Sequence, residues 1–309
     1  MRWSRREFLT TSSILAAGVL GSPSGSGGQA QTPGAGQPAP PPTEFRPLRD
    51  SVGIFIGQGG TIGWLVSPDG VVVVDAQMPL TAKVCLDGLN ARSGNRPIAC
   101  LFNTHHHADH TSGNGVFRPA VEKIVAHARV PELQKAAARP GIEGNQVYAD
   151  TTFDERWTIR IGRETVTAVH DWPAHTGGDS IISFEQANVV HLGDLVFNRR
   201  LPALDRPGGC RIIGWIALLE KIVREYPADA SYIFGHAGPG VGVTGTKDDL
   251  RLQRDFLSAL LDHVRAEIAA GKSRAEIAKA AVELKNFPEH GPLTDRVLTA
   301  AYEELTPGA

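Results

Sequence analysis

The stretch Thr104-His105-His106-His107-Ala108-Asp109-His110 follows the apolar run Ile98-Ala99-Cys100-Leu101-Phe102. His105, His107, Asp109 and His110 therefore stand just past the end of an expected buried strand. In a tight turn, residues two apart project the same way, so His105 and His107 can converge on one ion while Asp109 and His110 face a second. Imidazole together with carboxylate suits zinc, with iron or manganese the weaker fits. An acidic residue embedded among the histidines, and a strand in front of them, separate this segment from an expression tag.

A catalytic zinc takes about three protein ligands and keeps a position open for water. Candidates to complete the two sets lie downstream. His175 sits in Asp171-Trp172-Pro173-Ala174-His175-Thr176-Gly177-Gly178-Asp179, a turn between two strand-like runs. Asp194 ends the run that begins Val189-Val190-His191, and His236 ends Tyr232-Ile233-Phe234-Gly235. Taken singly, each reads as a capping carboxylate or a histidine bonded to backbone. Their shared position, at a strand end beside glycine, and their order along the chain argue for a common purpose.

From about Val52 to His236 the chain resembles the metallo-β-lactamase superfamily, whose pattern is His-x-His-x-Asp-His, then a lone His, an Asp and a final His. The resemblance implies that His105, His107 and His175 hold one metal, that Asp109, His110 and His236 hold the other, and that Asp194 bridges the two. It also implies an α/β fold of four αββα layers. Two cations roughly 3.5–4 Å apart make hydroxide available near neutral pH and polarise a scissile carbonyl or phosphoryl oxygen, so hydrolysis is the expected reaction. Asp109 is expected to orient the attacking water and then move its proton. Asn198, in the loop after Asp194, is a candidate donor to the attacked oxygen.

The substrate is less legible. Zinc β-lactamases proper carry a Cys, or lack an acidic bridge, where this chain has Asp194, and the acidic bridge is typical of esterases, lactonases, thioesterases and phosphodiesterases of the superfamily. Glyoxalase II and the persulfide dioxygenases follow the bridging Asp with a Gly-Cys-Gly-Arg-like segment. Here residues 198–211 read Asn-Arg-Arg-Leu-Pro-Ala-Leu-Asp-Arg-Pro-Gly-Gly-Cys-Arg. The departure disfavours a glutathione thioester and a mononuclear iron site. The expected activity is a two-zinc hydrolase acting on an ester, lactone, thioester or amide, a β-lactam included. The alternatives are an iron-dependent persulfide dioxygenase and a periplasmic metal-binding accessory protein without turnover.

Ser4-Arg5-Arg6-Glu7-Phe8-Leu9, the apolar stretch from Ile14 to Leu20 and the small-x-small sequence Gly28-Gln29-Ala30 read as a twin-arginine signal peptide over residues 1–30. The apolar stretch falls short of the roughly 20 residues needed to span a bilayer. The expected partner is therefore the twin-arginine translocase, the expected location the periplasm, and no membrane anchor is expected after processing. Gly, Pro, Ser, Gln and Ala dominate from Gly21 to Pro47, so residues 31–47 read as a disordered linker. Residues 48–309 read as one catalytic domain with a helical C-terminal segment, 245–309. Removing residues 1–30 takes the formal charge from −2 to −4, which gives no support for a nucleic-acid partner.

Strands are expected at Val52–Ile56, Ile62–Val66, Val71–Asp75, Ile98–Thr104, Lys123–Ala126, Thr158–Val169 and Ile181–Val190. Helices are expected over Thr81–Ala91 and Ile212–Tyr226, and beyond His236, where Leu250, Phe256, Leu257, Leu260, Leu261 and Val264 share a face. Cys85 and Cys100 read as apolar filler and Cys210 as an inert thiol, the odd count leaving at least one unpaired within the chain. Trp64, beyond the turn Gln58–Thr61, is either an apolar flap over the substrate or a core residue. Arg199, Arg200 and Arg206 either attract an anionic substrate group or form a solvated basic loop. His106, His127, His170 and His191 read as structural, because the ligand set is complete without them.

Overall fold

The computed structural model describes residues 41–138 and 146–307. The expected signal peptide and most of the expected linker lie outside the described residues. The linker's last residues do not behave as one: β1 (Glu44–Arg49) pairs antiparallel with β2 (Val52–Ile56). Composition had hidden the two apolar side chains of this strand. Phe45 packs on Phe55 with ring centroids 4.7 Å apart, and the Arg92 guanidinium covers its other face at 3.8 Å. Pro47 is tolerated because β1 is an edge strand, and the pairing is irregular there.

β3 (Ile62–Ser67) and β4 (Gly70–Val74) continue the antiparallel meander. α1 (Pro79–Ser93) then crosses over to β5 (Ile98–Asn103), which pairs parallel with β4. α1 has Pro at its start, and Gly94 ends it in the left-handed region at φ 67°. The short helices α2 (Ala108–Thr111) and α3 (Asn114–Phe117) lead to β6 (Ile124–His127), and α4 (Arg129–Ala137) precedes β7 (Thr151–Phe153). The first sheet thus runs β1 to β7 in chain order.

The expected long strand over Thr158–Val169 is a hairpin, β8 (Arg156–Ile161) and β9 (Glu164–Val169), turned at Gly162 with φ 58°. The expected strand over Ile181–Val190 is likewise a hairpin, β10 (Ile181–Phe184) and β11 (Val189–His191), turned near Asn188 at φ 54°. β12 (Phe197–Asn198), α5 (Ile212–Glu225), β13 (Ser231–Ile233), β14 (His236–Ala237) and β15 (Thr244–Gly245) follow. The second sheet has the order β15-β13-β11-β10-β9-β8, and β12 pairs with β14. The chain closes with α6 (Lys247–Ala269), started by a Thr246/Asp249 capping box, then α7 (Arg274–Ala278) and α8 (Asp295–Leu305).

Four layers result, because each sheet is covered on both faces. Val72 and Val74 of β4 join Phe102, Val166, Ile182, Phe184 and Ile233 between the sheets. Val71 and Val73 turn the other way, onto Ala82, Cys85 and Leu89 of α1. That is why β4 is an unbroken valine run rather than an alternating one. Leu250, Phe256, Leu257, Leu260, Leu261 and Val264 of α6 pack with Trp215 and Leu219 of α5 over the second sheet. None of the described helices is long and apolar enough to cross a membrane.

Candidate metal centre

Parallel strands end at the same edge, so the turns after β4 and β5 are neighbours. β11 and β13 bring their C-terminal ends to the facing edge of the second sheet. Polar residues just past these ends converge there. The first group is His105, His107, His175 and Asp194, and the second is Asp109, His110 and His236. His105 Nε2 and His175 Nε2 each stand 3.1 Å from His107 Nδ1. Asp109 Oδ2 lies 3.1 Å from His236 Nε2 and 3.8 Å from His110 Nε2.

Asp194 connects the two groups. Its Oδ2 faces the first, 3.6 Å from His175 Nε2 and 3.8 Å from His105 Nε2. Its Oδ1 faces the second, 3.0 Å from His110 Nε2 and 3.4 Å from His236 Nε2. One oxygen for each cluster is the disposition a bridging carboxylate needs.

The protonation pattern suits metal ligation. Burial pushes His175 down to about 3 and His105 well below its ordinary value, so both rings are neutral and present lone pairs. His110 donates from Nδ1 to Asp75 Oδ2 at 2.8 Å, which turns Nε2 into the site. Burial opposes its charge, but Asp194 and Asp75 raise its pKa well above the ordinary value, so an ion there would displace the Nε2 proton. Thr104 Oγ1 donates to Asp75 Oδ2 at 2.8 Å and so receives His105 Nδ1–H at 3.0 Å, freeing Nε2. Ligating histidines tied through their other nitrogen in this way are a regular feature of metal sites. In the second group, burial opposes charge on both Asp109 and His236. Hydrogen bonding between them and the fields of His110 and Asp194 override it, holding Asp109 at about 2 and raising His236 to about 9. The carboxylates of this group are thus ready for a cation.

Close backbone approach completes the site. A Cβ on Gly235 would stand 1.9 Å from Asp194 Oδ1, and one on Gly60 would stand 2.0 Å from the His110 ring. Only glycine fits at either place.

All seven expected ligands are brought together, and the two expected pocket residues are not among them. Trp64 is buried on the outer face of the first sheet, its ring 6.4 Å from Phe45, so it is a core residue. The Asn198 amide donates to Gly242 O at 2.9 Å and accepts from Arg199 at 2.7 Å. It braces its own loop through its carbonyl and one of its two amide hydrogens. Arg199 pairs with Asp249 and Arg206 with Glu304, which leaves Arg200 as the exposed member of the three. Cys85, Cys100 and Cys210 are buried free thiols, and burial pushes the Cys210 thiol up.

Sequence reasoning missed Asp75 and Asp205. Asp75, fully buried, accepts from Thr104 N–H at 2.8 Å besides Thr104 Oγ1 and His110. Its signal was an acid closing the valine run of β4, at φ 66°. Asp205 Oδ2 lies 3.0 Å from His107 Nε2 and 3.3 Å from His106 Nε2. Its loop has no periodicity to mark it. The other spare histidines are structural: His191 Nε2 bonds Thr61 O at 3.0 Å, and His127 stacks on His170 at 3.8 Å.

The profile of the metallo-beta-lactamase superfamily matches residues 56–258. Over 129 residues the chain is 26% identical to the 2,4-dinitroanisole O-demethylase subunit alpha of Nocardioides sp., covering 41% of this chain and 38% of that one. It is 31% identical over 122 residues to a hydroxyacylglutathione hydrolase of Nitrosococcus oceani, covering 39% and 41%. The chain thus spans about two fifths of the length of these curated relatives. Among solved structures, a metallo-beta-lactamase from Pontibacter korlensis superposes with a TM-score of 0.60 at 17% identity, over 70% of this chain and 99% of that one. A stereoselective inverting sec-alkylsulfatase from Pseudomonas sp. gives 0.64 at 15% identity, over 84% and 49%. With the profile matched from the end of β2 into α6, and with both sheets and both clusters in place, the chain belongs to the metallo-β-lactamase superfamily.

Proposed function

We propose that this protein is an exported dinuclear zinc hydrolase that cleaves an ester, lactone, thioester or amide bond in a small molecule. The observation that carries the reading is the orientation of Asp194, with one oxygen toward each cluster of candidate ligands. Two zinc ions, when bound, lower the pKa of a water between them and polarise the oxygen of the scissile bond.

The chain's own residues supply the rest. Asp109, whose side chain is 39% exposed, is the ligand most open to an arriving substrate. Its carboxylate orients the attacking water by accepting a hydrogen bond, then carries the proton to the leaving group. Asp75 fixes His105, through Thr104, and His110, so the positions of the ligands are set before substrate arrives. A cavity of about 740 Å³ opens beside His107, between Met78 and Pro79 on one side and Gln134 on the other, with Arg296 among its lining residues. That volume suits a small organic substrate.

The names of the relatives span ether, thioester and sulfate-ester chemistry, so the bond is best found by trial. Residues 198–211 lack the Gly-Cys-Gly-Arg-like segment that glyoxalase II carries after its bridging Asp, which disfavours a glutathione thioester. Export by the twin-arginine translocase to the periplasm rests on Arg5, Arg6 and the apolar stretch behind them.

Metal analysis of the purified chain should find about two zinc equivalents. A chelator should abolish turnover on a panel of lactone, ester, thioester, phosphodiester and β-lactam substrates, and added zinc should restore it. A single iron with oxygen uptake on a persulfide would replace the hydrolase with a dioxygenase.

A further inference from the structure

His107 differs from the other histidines of its cluster. It faces His105 Nε2 and His175 Nε2 through Nδ1, the nitrogen nearer the backbone, and its Nε2 points outward to Asp205 Oδ2 at 3.0 Å. A neutral imidazole carries one proton, so only the tautomer with hydrogen on Nε2 offers a lone pair at Nδ1. Asp75 serves His105, through Thr104, and His110, but it makes no contact with His107. Asp205 is the acceptor that remains.

Asp205 is itself held. Its Oδ1 accepts Gly208 N–H at 3.0 Å, its carbonyl accepts Cys210 N–H at 2.9 Å, and His106 Nε2 reaches Oδ2 at 3.3 Å. A Cβ on Gly208 would fall 1.9 Å from Oδ2, so the bracket closes only with glycine there. The same bracket grips the segment that carries His175 on both sides. Gly177 N–H donates to Gly208 O at 2.8 Å, and Arg211 N–H donates to Ala174 O at 2.9 Å. Residues 205–211 therefore lock two of the three histidines of the first cluster and none of the second.

We propose that Asp205 is a positioning residue for the first metal site alone, fixing the Nε2–H tautomer and ring orientation of His107 so that Nδ1 meets the ion. His106 acts at one remove, by steadying the Asp205 carboxylate. The proposal rests on the reading that His105, His107 and His175 hold a metal, and it gives the first cluster a support of its own, from the loop before α5, beside the Asp75 brace that reaches both clusters through His105 and His110.

The test uses the full chain with Asp205→Ala and Asp205→Asn. Stepwise zinc competition against a chelator should show the first site of the Ala variant weakened roughly 10–100-fold, with the second unchanged. The Asn variant keeps a carbonyl acceptor and should recover most of the loss. In metal-free protein, ring nitrogen NMR should report His107 as the Nε2–H tautomer in the parent and in Asn, and as a mixture in Ala. A merely structural brace would lower thermal stability without moving that signal. Unchanged tautomer and unchanged first-site affinity in the Ala variant would overturn the proposal. Should the Ala variant fail to fold, an Asn variant with the mixed tautomer overturns it equally. If the parent binds no zinc, the metal reading fails while the NMR arm still judges Asp205.

Discussion

Asp109 carries two duties that the other ligands do not share: it faces the open side of the centre and it is close enough to His236 to accept a hydrogen bond at 3.1 Å. Asp109→Asn keeps the shape of the side chain and removes the charge that, in the proposed hydrolysis, would accept and pass the proton. Turnover is expected to fall at least ~10²-fold while KM changes by less than about threefold, read from steady-state kinetics alongside metal content. His106→Ala removes only an indirect support and should cost under about tenfold; a variant stripped of metal would contradict the ligand assignment. The seven ligands were legible because metal chemistry restricts residue type, and a strand end beside glycine restricts place. Asp75 and Asp205 were not legible, because a carboxylate that serves a histidine 35 or 98 positions away is recognised only once the chain has folded. Asn198, close in sequence to Asp194, commits its carbonyl to Arg199 and one amide hydrogen to Gly242, a bracing role that only the folded chain reveals.

Among the elements, apolar periodicity located the central strands of both sheets and the long helices α1, α5 and α6, and it missed β1, β7, the two-residue strands β12, β14 and β15, and the helices α2, α3 and α4. A six-residue strand with two apolar side chains and a proline, β1, is indistinguishable by composition from the tail before it. The two hairpins of the second sheet were read as single strands because their turns hinge on one residue of positive φ each, Gly162 and Asn188. The segment between α7 and α8 offers a test of packing. His290 is buried and stacks on Phe256 at 4.2 Å and 9°. Burial lowers it to about 4, below its ordinary 6.5. As pH falls from 6.5 toward 4, the unfolded chain takes a proton that the folded one refuses, so stability is lost through that window. His290→Phe should raise stability at pH 7 by roughly 1 kcal/mol and should shrink the loss between pH 6.5 and 4. Thermal unfolding of variant and parent at the two ends of the window isolates this residue, since every other titrating group is common to both. An equal loss in the two proteins would refute the assignment.

At the scale of the whole molecule, composition and order placed the chain in one fold, and the covered faces of both sheets follow from their apolar runs. The proposed export is a separate matter and would be decided by residues 1–30. Replacing Arg5 and Arg6 with Lys should leave a folded precursor in the cytoplasm, while the parent is trimmed near Gln31 and recovered as a soluble periplasmic protein. Cell fractionation reads the outcome. Normal periplasmic yield of the double variant would point to an ordinary secretory route.

The ligands are divided between the two halves: His105, His107, Asp109 and His110 follow β5 of the first sheet, whereas His175 and Asp194 lie in connections of the second sheet and His236 opens β14, just past β13. A pair of ions held among them would therefore add a reversible crosslink between halves already joined by side-chain packing and by hydrogen bonds such as Ser180 N–H to Thr104 O at 2.8 Å and Thr61 N–H to Gly235 O at 2.9 Å. Each site that fills only in the folded state adds about 1.4 kcal/mol for every tenfold rise in free zinc above its dissociation constant. The melting temperature should climb with zinc activity and drop in chelator, and the Asp194→Ala protein should lose most of that climb. Metal supply would then decide how long the folded chain survives as well as how fast it turns over.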